Sequence, residues 1–100
     1  MRTTQEYIDI IQAHASELQQ RFGITSMRLF GSVARNEQTH ESDIDLFVTM
    51  PPQFYNYILA SQYLEEILGC QVDLIQDHKN LRPFLRQQIE NDGINIFPTA

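Results

Sequence analysis

The sequence has a single cysteine and no long apolar run, and each scarcity excludes a class of protein. The lone Cys70 cannot form an internal disulfide, which favours a protein of the reducing cytoplasm. No apolar run approaches the roughly 18 residues that a membrane span needs, and the opening residues lead to no signal-peptide core. We therefore expect a cytoplasmic protein that has no membrane partner.

Positive charge is also scarce. The formal net charge is −6, because 7 Lys and Arg residues oppose 13 Asp and Glu residues. Phosphate binding relies on Lys and Arg, so this balance argues against direct, broad contact with DNA or RNA. It fits a protein partner, or a cation drawn to an acidic pocket. The histidines at positions 14, 40 and 78 lack the spacing of metal ligands, so a zinc site is not expected.

The rest of the composition is that of an ordinary globular chain, with 42% hydrophobic and 20% charged residues. Its 100 residues support one core, so we expect a single domain over residues 1–100. A first helix is predicted over residues 4–22, because Thr3 and Glu6 have the spacing of a capping box and Gly23 supplies a stop.

Apolar runs bounded by turn residues predict the remaining elements. They are strands over 24–30, 43–49, 71–76 and 94–97, a short helix over 32–36 and a helix over 54–68. The last strand is predicted at an edge of the sheet. A last helix, capped by Asn80, carries the apolar residues Leu81, Phe84, Leu85 and Ile89. This order predicts an α/β (α+β) fold, in which a small mixed β-sheet is backed by helices in one pair of layers.

Two carboxylates, Asp43 and Asp45, lie in one predicted strand. Residues two apart on a strand point to the same side, so both carboxylates project together while Ile44 turns into the core. Adjacent carboxylates repel unless they are protonated or neutralised, and hard cations such as Mg²⁺ prefer oxygen ligands. The pair therefore predicts a metal site. The alternative is a pair of solvated acids before a strand.

A turn that can hold phosphate precedes this pair. Gly31 follows an apolar strand and lets the backbone approach a phosphate closely. If Ser32 begins a helix, its hydroxyl and the free backbone N–H groups can hold phosphate oxygens, and Arg35 would lie on the same side. The alternatives are an ordinary Gly-Ser turn and a solvated arginine.

A third carboxylate, Asp73, interrupts an otherwise apolar strand. An unpaired carboxylate is costly among such neighbours, so Asp73 needs a partner or access to water. If it lies opposite the other two acids, it could share their metal and take a proton from an attacking hydroxyl. The alternative is an aspartate at the end of a sheet that faces water.

Three segments together carry a family resemblance: residues 31–35, 42–46 and 72–74. They resemble the minimal nucleotidyltransferases of the DNA polymerase beta superfamily, and the MNT antitoxins that are paired with HEPN toxins match best. The resemblance covers nearly the whole chain and implies a polymerase-beta-like nucleotidyltransferase fold. By this resemblance, Asp43 and Asp45 would hold two Mg²⁺ ions that bridge the phosphates of ATP. Asp73 would bind the catalytic metal and activate the acceptor hydroxyl.

The resemblance also assigns the turn. Gly31 and Ser32 would grip the β- and γ-phosphates of ATP, with Arg35 in support. The family often has glycine after this arginine, whereas this chain has Asn36. Asparagine tolerates a left-handed backbone better than most residues, so we expect the turn to survive.

The implied function is that of a Mg-dependent protein adenylyltransferase that acts as an antitoxin. AMP would pass from ATP to a tyrosine hydroxyl of a HEPN ribonuclease toxin and block the ribonuclease. Two alternatives stay open. The chain could neutralise its toxin by binding alone, with a vestigial site. It could also modify a small molecule, as aminoglycoside-modifying relatives do, although 100 residues leave no room for the added helical domain of those relatives.

Overall fold

The computed structural model describes residues 2–98, which form one four-stranded mixed sheet with helices packed on it. The elements in chain order are α1 (Thr4–Ala13), α2 (Ala15–Phe22), β1 (Ser26–Phe30), α3 (Gly31–Ala34), β2 (Ile44–Thr49), α4 (Phe54–Leu68), β3 (Val72–Gln76), α5 (Pro83–Asp92) and β4 (Ile94–Phe97). None of these described helices is long and apolar enough to cross a lipid bilayer. The predicted α/β fold class with a small mixed sheet is confirmed.

The strands lie in the order β3-β2-β1-β4. β1 is antiparallel to both β2 and β4, whereas β2 and β3 are parallel. The parallel pair follows from the connection between them, because α4 carries the chain back across the sheet before β3 begins. β3 and β4 are therefore the two edge strands, and the prediction of an edge strand near the end of the chain is confirmed.

The helix predicted over 4–22 is divided at His14, so the prediction of one continuous helix is wrong. The His14 Nδ1 lies 2.8 Å from the carbonyl oxygen of Ile10, which the His14 backbone N–H would use in an unbroken helix. That N–H donates to the Ile11 carbonyl instead, at 3.0 Å. The predicted ends are confirmed, because Thr3 and Glu6 form the capping box and Gly23 closes α2 with a φ of 72°.

The last helix begins later than predicted. Asn80 does not cap it: Arg82 is the N-cap and Pro83 is the first helical residue. The physical reason is the proline, which disfavours helical geometry in the residue before it, and Arg82 has φ −57° and ψ 133°. Leu81, predicted within this helix, lies before it and is buried. Phe84, predicted on its apolar face, is 80% exposed.

Alternation along the strands gives the sheet two covered faces. On one face Leu29, Leu46 and Leu74 belong to the main core beneath α1, α2 and α4. Phe47 and Ile75 alternate with them and therefore lie on the opposite face. There they pack against a second buried cluster of Phe30, Leu81 and Ile89, beneath α5. The structure thus adds a third layer to the predicted pair.

Candidate active site

The parallel pairing of β2 and β3 brings two of the predicted carboxylates side by side. Asp45 is the register partner of Asp73. Neighbouring strands lie about 4.8 Å apart and paired residues point to the same side, so these carboxylates share one face of the sheet. It is the face opposite the main core, because Leu46 and Leu74 point into that core. Asp45 is half-buried and Asp73 is exposed.

The electrostatics of Asp45 reflect this crowding. Partial burial raises its pKa from 3.8 to about 6, and the negative charges of Asp73 and Asp43 act in the same direction. A hydrogen bond with Asp73 adds to the rise of the pKa, and the positive charge of Arg35 opposes it. Carboxylates that repel one another in this way are stabilised when a cation binds among them.

Gly31 is the closest approach of the turn to these acids. It has a φ of 77°, a conformation that side chains other than glycine rarely adopt. A Cβ atom at this position would overlap the Oδ2 atom of Asp45 and would lie 2.9 Å from its Cγ. Glycine is therefore required here for two independent reasons, and the turn lies directly against the carboxylate.

Ser32 lies in α3 and Arg35 follows this helix directly. The predicted short helix is present, but it spans Gly31–Ala34 instead of 32–36, because Asn36 has a left-handed backbone. Ser32 is half-buried, and its carbonyl accepts the Glu37 N–H at 2.8 Å. Arg35 donates from Nε to Glu37 at 3.1 Å and from Nη1 to Asp92 at 3.0 Å. Its guanidinium is thus held by two carboxylates, and its charge is still close enough to lower the pKa of Asp45.

The loop after α3 is tied to the start of α1. Asn36 has a φ of 59°, so the expected left-handed conformation is confirmed. The Thr4 hydroxyl donates to the Val33 carbonyl at 2.6 Å and lies 3.3 Å from Oδ1 of Asn36. Since α1 packs in the main core, these contacts fix the turn to the body of the protein.

Asp43 lies exposed, one residue before β2. Its charge contributes to the raised pKa of Asp45, so the third acid is near the pair. Within residues 2–98 no three His, Cys, Asp or Glu side chains are gathered as a complete metal-ligand group. A Mg²⁺ ion fits such a site, because it is commonly held by one or two carboxylates and completes its shell with water and substrate phosphate.

Two side chains of α4 that no motif indicated hold the strand of Asp73 in place. The Tyr57 hydroxyl donates to the Leu74 carbonyl, and Oε2 of Glu65 accepts the Val72 N–H at 3.1 Å. Burial raises the pKa of Tyr57, and the charge of Asp73 raises it further, so the phenol lies near the carboxylate. Helical spacing indicated only that Tyr57 packs inward or faces a partner.

A family model described as a nucleotidyltransferase domain matches residues 11–96 of this chain. Among curated relatives, a Methanocaldococcus jannaschii protein provisionally named a protein adenylyltransferase is 40% identical, over 96% of this chain and 100% of its own length. The protein adenylyltransferase MntA of Thermococcus cleftensis is 39% identical, over 75% of this chain and 78% of its own length.

Solved structures agree with the observed fold. A structure described as a minimal nucleotidyltransferase is 29% identical, with a TM-score of 0.76 over 93% of this chain and 95% of that chain. A structure of a tri-AMPylated Shewanella oneidensis HEPN toxin in complex with an MNT antitoxin matches at 21% identity. Its TM-score is 0.64 over 92% of this chain and 73% of that chain, a likeness of fold alone. The family match and the close relatives together establish that this chain belongs to the nucleotidyltransferase domain family.

Proposed function

We propose that this chain is a Mg²⁺-dependent protein adenylyltransferase that acts as the cytoplasmic antitoxin of a HEPN ribonuclease toxin. The reaction is the transfer of AMP from ATP to a tyrosine hydroxyl of that toxin. The observation that carries the proposal is the pairing of Asp45 with Asp73, beside a turn at which Gly31 leaves no room for a side chain. The names of the relatives and the toxin in the matched complex support a protein acceptor.

The acids are the proposed metal ligands. Asp43, Asp45 and Asp73 would hold the two Mg²⁺ ions. When bound, the metal neutralises phosphate charge and aligns the triphosphate for in-line displacement. The support for these ligands is the raised pKa of Asp45, which is caused by partial burial and by the charges of Asp73 and Asp43, since the site carries negative charge that a cation would relieve.

The turn is the proposed phosphate site. Gly31 lets the backbone approach the β- and γ-phosphates, and Ser32 contributes its hydroxyl. Arg35 supports this site with its positive charge, while its bonds to Glu37 and Asp92 keep the loop joined to α5. The phosphates are therefore within reach of both the turn and the acid pair.

Asp73 is the proposed base. It is exposed, so an acceptor hydroxyl from another protein can reach it. As the tyrosine oxygen attacks the α-phosphorus, its proton passes to the Asp73 carboxylate. The bond from the α-phosphorus to the bridging oxygen breaks, and pyrophosphate leaves with the electron pair. The products are the AMP–tyrosine ester and pyrophosphate.

The acceptor comes from a separate protein in this proposal. This choice follows the names of the relatives, which are those of protein adenylyltransferases. The net charge of −6 also disfavours direct contact with nucleic acid.

The test uses ATP labelled in its adenosine, Mg²⁺ and the HEPN protein encoded beside the gene of this chain. The wild-type chain should label the HEPN protein. Asp73→Asn should reduce the rate by at least about 100-fold, because it removes the proton acceptor. Asp9→Asn is the control, since Asp9 is an exposed acid on α1, away from the site.

The same variants separate catalysis from simple covering of the toxin. Cells that express the HEPN protein should be protected by the wild-type chain and not by a chain with both Asp43→Asn and Asp45→Asn. If the double variant protects as well as wild type, neutralisation depends on binding alone and the catalytic antitoxin is contradicted.

A further inference from the structure

Two exposed aromatic side chains lie at the start of α4, and one of them, Phe54, lines a groove at one edge of the sheet. Phe54 and Tyr55, at the start of α4, are 77% and 74% exposed. The groove has a volume of about 460 Å³ and follows β3, where Phe54 and Tyr57 face Leu74 and Ile75. Exposed apolar side chains that cluster in this way are typical of protein interaction sites.

The sheet order separates this groove from the proposed phosphate site. The turn at Gly31 follows β1, Asp45 lies on the neighbouring β2, and Asp73 lies on β3 at the edge. A triphosphate held by the turn lies on the β1 side of the acid pair. An acceptor must approach from a direction that the nucleotide does not fill, and the free edge of β3 provides it.

The groove is also near enough to Asp73 for one partner to cover both. Its lining residues Leu74, Ile75 and Gln76 follow Asp73 directly along β3. At about 3.3 Å per residue, Gln76 in the groove lining is about 10 Å from Asp73 along the strand. A stable interface covers about 800 Å² of each partner, which is a patch of about 16 Å radius if circular. A protein that presents a hydroxyl to Asp73 from this edge therefore covers the groove.

The edge favours side-chain packing over the addition of a β-strand. Two outward-pointing backbone groups of β3 are already in use, since Glu65 accepts the Val72 N–H and Tyr57 donates to the Leu74 carbonyl. A strand from another chain would have to displace both contacts. The groove lining contains no carboxylate, although the chain has 13 acids. The lining is mainly apolar, with Gln76 and His78 as polar members, so the groove fits an apolar occupant.

We infer that this groove, with the exposed Phe54 in its lining, is the docking surface for the acceptor protein, an inference that rests on the proposed function. An apolar segment of the acceptor next to its tyrosine fills the groove, and this contact places the tyrosine hydroxyl at Asp73. The groove thereby selects the protein that is modified, while the acids and the turn perform the transfer.

The test compares two phenylalanines that occupy equivalent positions. Phe54 and Phe84 both lie in the first turn of a helix and are 77% and 80% exposed. Phe84 lines a different groove, of about 370 Å³, on α5. Phe54→Asp should raise the KM for the HEPN protein about tenfold and change kcat less than about twofold, because the ring contributes to docking and not to chemistry. Phe84→Asp should leave both constants within about twofold of wild type.

The outcomes distinguish a failure of the proposed function from a failure of the docking surface. If the wild-type chain does not transfer AMP to the HEPN protein, the proposed function fails. If wild type transfers AMP and Phe54→Asp behaves as Phe84→Asp does, the docking surface is wrong. An effect of Phe84→Asp alone would place the acceptor on α5 and overturn the inference. Thermal melting checks the fold of each variant, and Phe54→Ala, which adds no charge, should still raise the KM for the HEPN protein. Affinity for a non-hydrolysable ATP analogue should be equal in all three variants.

Discussion

Gly31 carries the strictest steric requirement in the site. Gly31→Ala should abolish AMP transfer, because its methyl group would occupy the position of the Asp45 carboxylate. The variant should also lower the free energy of unfolding by about 1–3 kcal/mol, since the backbone is left-handed there. Urea unfolding and the transfer assay measure the two effects.

Gly69→Ala is the matched control for this substitution. Gly69 has a similar φ of 69°, and a Cβ atom there would lie 3.6 Å from Arg2, an ordinary contact. We expect a loss of about 1 kcal/mol from the backbone conformation and full transfer activity. If Gly31→Ala were as active as Gly69→Ala, the turn would not lie against the acid pair as described.

We expect Asp45→Asn to make the protein more stable and to remove its transfer activity. In metal-free buffer, Asp45→Asn should raise the free energy of unfolding by about 1 kcal/mol after screening by solvent, because it removes charge repulsion and burial of a charge. The folded-state pKa of Asp45 is raised from 3.8 to about 6, so the wild type loses stability as the pH rises through that window. The advantage of the variant should grow over the same window and then remain constant. Transfer activity of Asp45→Asn should be lost. If this variant were less stable than wild type at pH 7, the crowding of the acids would be contradicted.

The conformation of some single residues could be predicted from the sequence, whereas their long-range contacts could not. The left-handed conformation of Asn36 was predictable, because few other residues adopt it. The side-by-side placement of Asp45 and Asp73 depends on a parallel register between strands 28 positions apart in the chain (45 to 73), which local pattern does not specify. Nothing in the local sequence indicated that Asp92 would bind Arg35, because this contact also joins residues that are far apart in the chain.

Among the elements, β3 depends on a contact from α4. Tyr57→Phe removes the hydroxyl that donates to the Leu74 carbonyl and leaves the ring in place. We expect the free energy of unfolding to fall by about 1 kcal/mol, as for a typical buried hydrogen bond. Tyr55→Phe is the control, because Tyr55 is 74% exposed and should change stability by less than about 0.5 kcal/mol. Equal stability of the two variants, measured by urea unfolding, would show that the hydroxyl does not support the edge strand.

The boundaries of the elements were predictable where local chemistry marks them. α4 and β4 begin and end where the sequence predicted, because Gly69 closes α4 and apolar residues bound β4. The break at His14 was not predictable, since the apolar period continues through it and the cause is a side-chain contact to the Ile10 carbonyl. The start of α5 was predictable in principle, because Pro83 restricts the residue before it, and that restriction outweighs the capping tendency of Asn80.

In the molecule as a whole, the proposed nucleotide site and the proposed docking groove lie on different strands of the sheet. The strands β1 and β2 carry the turn and the inner acid, and the edge strand β3 carries the exposed acid beside the groove. The small mixed sheet was predictable from the order of the elements. The cover on its second face was not, since Leu81 and Ile89 were assigned to one helix without any indication of the face on which that helix packs.

The most direct test of adenylyl transfer is to measure which phosphorus of ATP reaches the acceptor protein. The chain, Mg²⁺ and the HEPN protein are incubated in parallel with ATP labelled at the α-phosphorus and ATP labelled at the γ-phosphorus. We expect label on the HEPN protein from the α-position alone, none after the Mg²⁺ is chelated, and labelling at least about 100-fold slower with Asp73→Asn. Label from the γ-position would indicate phosphoryl transfer, and an unlabelled HEPN protein that still binds the chain would contradict adenylyl transfer altogether.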